Sequence, residues 1–194
     1  PAAALDRLRA AVTAEGAGLH LVRTDQLPWL AVVTAEAAAS ELADPAYRAE
    51  LTRWTNRPPW SGDGVPTTVA VRPAPRRVPV RDHALGAEPG LEVGDGHDRG
   101  ASFAVLYGPT DDRAGWLRGG EALSALLLTA VVDGLSTAPL SDPVERAWPR
   151  RLLRELLAGA GEPYLALRIG IRAGGGDLPP VPRREPAEVI EEPA

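Results

Sequence analysis

The sequence predicts a domain that combines helices with a buried sheet, and three segments carry this prediction. Two apolar runs, 101–107 and 163–171, are typical of strands; the first is continuous and flanked by glycines, as in a strand buried on both faces. Between them, residues 112–133 predict one helix about 33 Å long at 1.5 Å per residue. Its stretch 123–132 is apolar nearly all round, so we expect this helix to be buried rather than laid on a surface.

Local start and stop signals mark the ends of the predicted helices. Asp111 or Asp112 is the expected N-cap of the long helix, and Gly134 is its expected stop. Asp44 and Asp142 are each followed by proline, the residue favoured at the first helical position, and are the expected N-caps of two further helices. Besides the long helix, the pattern predicts helices over residues 3–15, 26–42 and 45–55, and a helix that starts at 142, is kinked or restarted at Pro149, and ends at 158.

The remaining segments have weaker patterns. Residues 67–71 predict a short extended segment, and 72–99 contain little that folds alone. Long loops inside compact domains are usually functional or disordered, so we interpret 72–99 as a lid or mobile strap. The proline-rich tail, 178–194, is expected to extend over another surface. We expect residues 1–194 to form a single domain.

Composition excludes several classes of protein. The chain has no cysteine, which excludes disulfides, thiolate chemistry and cysteine-bound zinc. No apolar run approaches the ~18–20 residues of a membrane span, and a net charge of -5 argues against nucleic acid as a partner. These features fit the cytoplasm. Because methionine is absent and the chain starts at Pro1, we expect a fragment, a processed product or a trimmed chain.

Three motif matches lack the context that their chemistry needs. The glycines of 94–100 have GxGxxxG spacing, but a strand follows them, so no helix N-terminus is available for a pyrophosphate. His83 and His97 lie among aspartates without HxxxH or HExxH spacing, which favours solvated loop residues over a metal site. Residues 134–138 approximate the GxSxG nucleophile elbow, yet a helix precedes them where a strand is required.

Arg183 and Arg184 lie in the extended tail near the end of the predicted domain. A guanidinium in such a position can fork onto a phosphate. From the chemistry alone, an ordinary surface pair is the favoured interpretation.

Several segments occur in an order that resembles a known family. They are AELTRWTNRPPWSGDGVP at 49–66, the strand and long helix of 101–142, and PYLALRIGIR with LPPVPRREPAEVI within 163–190. Their order and spacing are similar to the C-terminal half of the Acg-type, actinobacterial branch of the nitroreductase-like FMN family. The resemblance covers nearly the whole chain.

The resemblance implies a fold, a cofactor and a partner. The fold would be α+β, with a mostly antiparallel central sheet flanked by helices around a long buried core helix. Members are dimers with non-covalent FMN at the interface, and in the two-half branch one chain carries both halves. A hydride would pass from NAD(P)H through the flavin to a small electron-poor acceptor. A flavin-binding or flavin-sequestering protein with little turnover, or a purely structural partner half, remain alternatives.

The resemblance also implies where FMN would bind. Arg184 matches the basic position that contacts the FMN phosphate, with Arg183 beside it, and 139–142 match the segment along the flavin ring. The expected cofactor-binding residues are Arg183, Arg184, Pro139, Leu140, Ser141 and Asp142. The backbone N–H groups of Ser141 and Asp142 would point at the N5 edge, where amides tune the flavin. No catalytic side chain or metal ligand stands out. The family's N-terminal Ser-Arg-Arg-Ser-type phosphate loop is missing, so we expect a second half upstream of Pro1.

Overall fold

The computed structural model describes residues 2–55, 57–83, 88–93, 98–171, 179–181 and 183–190. Its contacts divide the chain into two compact units. The sheet unit comprises Pro1–Ser40, Arg76–Val80 and Asp98–Ala173, and the small unit comprises Glu41–Pro75, Arg81–His97 and Gly174–Ala194. The expectation of a single domain over 1–194 stays a prediction.

The sheet unit contains a four-stranded sheet with the order β1-β2-β4-β3. The strands are β1 (Gly18–Leu21), β2 (Ser102–Gly108), β3 (Ser136–Leu140) and β4 (Glu162–Gly170). Every neighbouring pair is antiparallel. The predicted α+β class with an antiparallel central sheet is therefore confirmed.

The described residues form six α-helices. They are α1 (Ala2–Ala14), α2 (Leu27–Ala43), α3 (Pro45–Thr55), α4 (Arg113–Val132), α5 (Asp142–Glu145) and α6 (Ala147–Leu156). None of the helices in the described ranges combines the length and apolarity needed to cross a bilayer.

The sheet has a hydrophobic cluster on each face because side chains alternate along β2. Ala104 and Leu106 join the cluster that includes residues of α1 and α4. Phe103 and Val105 join the other cluster, which includes residues of α2 and α6. Val78, inside the predicted strap, is fully buried in this second cluster. Residue 78 is therefore anchored in the core, and the interpretation of 72–99 as a lid or mobile strap stays a prediction.

The long helix α4 is buried in this chain along one face only. The buried stripe consists of Gly115, Gly119, Ala122, Leu126 and Ala130. The opposite face carries exposed apolar side chains, which we call the α4 stripe: Leu117, Leu128, Val131 and Val132. A helix lying on a sheet turns one side toward it, so a sequence that is apolar nearly all round leaves apolar surface uncovered.

Two local expectations are wrong. Residues Thr67–Val69 form a 3-10 turn rather than an extended segment, and only Val71 makes an isolated bridge, to Leu91. The N-cap of α5 is Ser141, and Asp142 is the first helical residue. Proline is tolerated throughout the first turn of a helix because the N–H groups there have no intrahelical partner, so Asp-Pro does not fix the start to one residue.

Candidate functional site

Both ends of α4 are fixed by local hydrogen bonds. The Asp112 carboxylate caps the N-terminus by accepting from the Gly115 N–H at 2.7 Å. At the C-terminus Gly134 has a φ of 67°, and the Leu135 N–H donates to the Ala130 carbonyl at 2.8 Å. The helix ends are therefore those that the sequence predicts, with Asp112 rather than Asp111 as the cap.

Small residues bring α4 close to β4. A Cβ added to Gly119 would lie 2.7 Å from Cδ2 of Tyr164, and one added to Gly115 would lie 2.7 Å from the Tyr164 hydroxyl oxygen. That hydroxyl donates to the Thr110 carbonyl at 2.6 Å, which fixes the ring. The α4 stripe is consequently presented by a helix whose other face is tightly held.

The α4 stripe is a substantial apolar surface. Its side chains are between 67 % and 86 % exposed. They recur at positions 117, 128 and 131–132, so they share the solvent face of the helix with the polar residues Glu121 and Ser124. Leu128, Val131 and Val132 lie next to one another at the C-terminal end of the helix, and exposed apolar surface of this kind commonly marks an interaction site.

The segment 139–142 joins β3 to α5 in the sheet unit. Pro139 is exposed and lies on β3, the last strand of the described sheet, where the missing proline N–H is tolerated. Leu140 is buried, and the half-buried Ser141 accepts at its carbonyl from the Val144 N–H at 2.9 Å. Asp142 is 5 % exposed. The strand and the short helix thus fix this segment from both sides.

A cavity of about 200 Å³ lies elsewhere in the sheet unit. It is bordered by the N-terminal part of α1, the residues before β2, and the end of β4, including Leu5, Arg99 and Ile169. Residues 139–142 do not line it. This cavity therefore gives no support to their expected role.

The small unit contains an ion-paired cluster around Asp63. Oδ1 accepts from Nε of Arg57 at 2.7 Å and lies 2.6 Å from its Nη2. Oδ2 accepts from Nε of Arg184 at 3.1 Å and also from its Nη2. Each carboxylate oxygen therefore holds the Nε edge of one guanidinium, and we call the two arginines with Asp63 the arginine fork.

A glycine turn brings these residues together. Gly62 and Gly64 have φ values of 70° and 74°, in the left-handed region that disfavours side chains. A Cβ on Gly62 would lie 3.2 Å from the Arg183 carbonyl oxygen, and one on Gly64 would lie 2.4 Å from Cγ of Arg57. The turn therefore needs glycine for its conformation at both positions and for space at Gly64.

The fork changes the acidity of its carboxylate. Hydrogen bonds from Arg184 and then Arg57 lower the pKa of Asp63 below its ordinary value. Two guanidinium charges face one carboxylate, which leaves a net charge of about +1 on the cluster near neutral pH. The fork can attract an anion without losing its internal pairing.

Solved structures identify the fold. The whole chain aligns with 88% of a nitroreductase from Bacteroides fragilis solved with bound FMN, with a TM-score of 0.55 and 14% identity. It also aligns with 89% of the FMN-dependent nitroreductase NfnB from Mycobacterium smegmatis, solved in complex with NADPH, with a TM-score of 0.54 and 13% identity. The chain has the nitroreductase-like fold.

Curated relatives of this chain come from Mycobacterium tuberculosis. The chain is 37% identical over 96% of its length to Rv3131, which is provisionally named an NAD(P)H nitroreductase. It is 31% identical over 95% of its length to acg, which has the same provisional name. The alignments cover 54% and 56% of those proteins, so the chain spans about half the length of the curated relatives it matches. No family model matches the chain. The chain is therefore similar in sequence to about half of each of these relatives and shares its fold with the solved nitroreductases.

The expected cofactor residues fall into two sets. Arg183 and Arg184 belong to the small unit, where both border the glycine turn. Residues 139–142 form one continuous segment of the sheet unit. Their roles toward FMN stay predictions. His97 and the glycines of the GxGxxxG spacing at 94 and 96 lie outside the described residues.

Sequence reasoning missed Arg57 and Asp63 as members of a site. Both lie inside the segment 49–66 that carries the resemblance, but no role followed from their spacing. The signal that could have found them is the Gly-Asp-Gly turn, because two glycines around an acidic residue favour a tight turn that other chain segments can approach.

Proposed function

We propose that this chain is one half of an FMN-dependent oxidoreductase of nitroreductase type. When bound, FMN would pass a hydride from NAD(P)H to a small electron-poor acceptor. The fold shared with FMN-dependent nitroreductases and the identity to relatives provisionally named NAD(P)H nitroreductases support this proposal. A cytoplasmic location stays a prediction.

The observation that carries the proposal is the α4 stripe. A second nitroreductase-like half is the proposed occupant, because the chain matches only about half of its curated relatives' length. That half is either another part of the same longer chain or a second copy of this one. Covering the stripe would remove four large apolar side chains from water, which is the usual driving force for association.

The free energy gained by burying the α4 stripe indicates how large the interface must be. Burial of a large aliphatic side chain is worth roughly 1.5–3 kcal/mol when complete, so the four together supply about 4–8 kcal/mol after their partial burial is taken into account. Association costs roughly 4–15 kcal/mol in lost rigid-body freedom. The stripe alone is therefore insufficient, and a stable pair needs contacts beyond it, as expected of interfaces above about 1,000 Å².

The residues proposed to hold FMN have suitable chemistry. Arg184 is 44% exposed and uses its Nε edge for Asp63, so the Nη1 group lies outside that ion pair and suits a phosphate oxygen. Ser141 and Asp142 stand at the start of α5, where backbone N–H groups favour an electron-rich partner. These groups would bind and orient the cofactor.

The proposed chemistry does not need a general acid or base from this chain. Hydride transfer depends on holding two reactants in contact at the right angle and on excluding water. A half that supplies ring and phosphate contacts, and an apolar face for its partner, fits that requirement.

Flavin loading tests the proposal. The chain, purified alone and with a second nitroreductase-like half, is examined for bound FMN by absorbance and then for oxidation of NADH and NADPH. We expect bound flavin and NAD(P)H oxidation in the paired protein, and loss of flavin on Arg184→Ala. Arg72→Ala is the matched control, because Arg72 is an exposed arginine of the small unit paired with Glu92.

The alternatives give different results in the same experiment. Bound flavin without NAD(P)H oxidation would indicate a flavin-binding protein with little turnover. A pair that assembles without flavin would indicate a structural half. Flavin retained equally by the Arg184→Ala variant and the control would contradict the proposed phosphate contact.

A further inference from the structure

The segment 49–66 carries part of the family resemblance, but the proposed function gives it no task. The structure links this segment to the tail, because Asp63 is bonded to Arg184, 121 residues away. Arg57, from the same segment, holds the other oxygen of Asp63. One cluster therefore joins Arg184, which is expected to contact a phosphate, to Arg57 and Asp63 of the segment 49–66.

The bonding pattern leaves part of each arginine outside the ion pair. A guanidinium has five N–H donors. Asp63 engages Nε and Nη2 of Arg57 and the same two groups of Arg184. Nη1 of each arginine lies outside this pairing, and both arginines share one carboxylate, so their positions are coupled.

Arg57 is held along its whole length. Its guanidinium carbon lies 5.7 Å from the centroid of the Trp54 ring, within the range of a cation–π contact. Its Cγ lies against Gly64, where only glycine leaves space. The Arg57 side chain is 34% exposed and that of Asp63 is 13% exposed, so part of the arginine reaches solvent while its carboxylate partner is largely enclosed.

Such an arrangement suits a phosphate monoester. Arginine binds phosphate through paired hydrogen bonds that lysine cannot form. Holding two arginines in place before binding lowers the side-chain entropy that binding would otherwise cost. The net positive charge of the cluster favours a dianion over a neutral ligand.

We infer that Arg57 is a second phosphate-binding residue, and that Asp63 is a positioning residue that holds Arg57 and Arg184 as a pair for a phosphate monoester. The identity of that monoester as FMN rests on the proposed function. The fork itself does not depend on it, because free phosphate offers the same oxygens.

The test uses the chain itself, with inorganic phosphate, FMN and riboflavin as probes. Nitrogen-15 NMR follows the Nε–H signals of the arginines, and each titration gives a dissociation constant. Inorganic phosphate is expected to shift the signals of Arg57 and Arg184. FMN is expected to bind more tightly than riboflavin, which lacks the phosphate.

Variants separate a positioned fork from diffuse charge. Arg57→Ala and Arg57→Lys are both expected to weaken phosphate and FMN binding by about tenfold or more, as loss of a charge-assisted hydrogen bond predicts. Riboflavin binding should be unchanged. Arg53→Ala is the matched control, because the guanidinium carbon of Arg53 lies 5.0 Å from the centroid of the same Trp54 ring. This substitution removes the same charge and leaves the Asp63 ion pairs in place.

Three results would overturn the inference. They are no phosphate-induced shift at Arg57 and Arg184, full affinity in Arg57→Lys, or equal losses in Arg57→Ala and Arg53→Ala. If phosphate binds at the fork while FMN binds no more tightly than riboflavin, the fork stands and the flavin assignment fails. If Arg57→Ala unfolds, the charge-retaining Arg57→Lys variant decides.

Discussion

Gly119 of α4 lies so close to Tyr164 of β4 that an added Cβ would be 2.7 Å from Cδ2 of the ring. Glycine in a helix interior lowers helix stability by about 1 kcal/mol relative to alanine. At Gly119 the close packing against Tyr164 that glycine permits offsets this loss. The contact seats α4 on the sheet and turns the α4 stripe outward. The packing of the buried face therefore determines which apolar residues a partner would meet.

The two neighbouring glycines of α4 should respond oppositely to substitution. Gly120→Ala is expected to stabilise the chain by up to about 1 kcal/mol, because its Cβ would meet no atom within 4 Å. Gly119→Ala is expected to destabilise it, because overpacking costs about 1–3 kcal/mol and exceeds the gain in helix propensity. Urea unfolding measures both. Equal stabilisation of the two variants would contradict the described seating of α4.

Leu126 and Leu128 provide a second matched pair on α4. Leu126 is fully buried whereas Leu128 is 67% exposed. Leu126→Ala should lower the free energy of unfolding by about 2–5 kcal/mol through lost burial and a cavity. Leu128→Ala should lower that of the isolated chain by less than about 1 kcal/mol. Chemical denaturation of the isolated chain distinguishes the two variants. Similar losses of unfolding free energy in both would show that the buried and exposed faces of α4 are wrongly assigned.

The N-cap of α4 can be tested through Asp112. Replacing its carboxylate in Asp112→Ala removes the bond from the Gly115 N–H and should cost about 0.5–2 kcal/mol. Asp112→Asn keeps an acceptor at the same place and should lose much less. The comparison is made by thermal unfolding. The assignment fails if the alanine variant melts at the wild-type temperature.

Short-range signals explain what the sequence predicts well. The caps of α4 at Asp112 and Gly134 depend on a few adjacent backbone groups, so the sequence displays them directly. The strand β3 escapes prediction, because its five residues include Pro139 and its pairing with β4 is a long-range contact. For the segment 139–142, the sequence therefore predicts the helix α5 that follows it but not the strand β3 that precedes it.

The candidate site is less predictable for the same reason. The resemblance points to Arg184, but the bond to Asp63 joins residues 121 positions apart, and no local pattern encodes it. The apolar run of α4 predicts burial, yet the sequence alone does not say which side the sheet covers. Gly115 and Gly119 decide that side by allowing close approach, which becomes visible only with Tyr164 in place.

The Asp63 carboxylate should titrate below its ordinary range. Its pKa is lowered in the folded state by Arg184 and then Arg57, so its contribution to stability is present above about pH 4 and is lost as pH falls through the lowered value. Carbon-13 NMR of the Asp63 carboxyl measures the midpoint. Arg184→Ala should move that midpoint upward, whereas Arg23→Ala, which removes the partner of Asp25, should not. A midpoint unaffected by Arg184→Ala would contradict the fork.

The assembly state of the flavin-loaded protein tests the proposed pairing most directly. Sedimentation of the chain with FMN and a second nitroreductase-like half, with detection at the flavin absorbance, compares wild type, Val132→Glu and Val32→Glu. Val32 is an exposed valine of α2 and serves as the matched control. We expect wild type and Val32→Glu to sediment as a flavin-containing two-half particle, and Val132→Glu to remain a single half. Flavin-containing pairs formed equally by Val132→Glu, or a wild-type chain that remains a single half, would contradict the proposal.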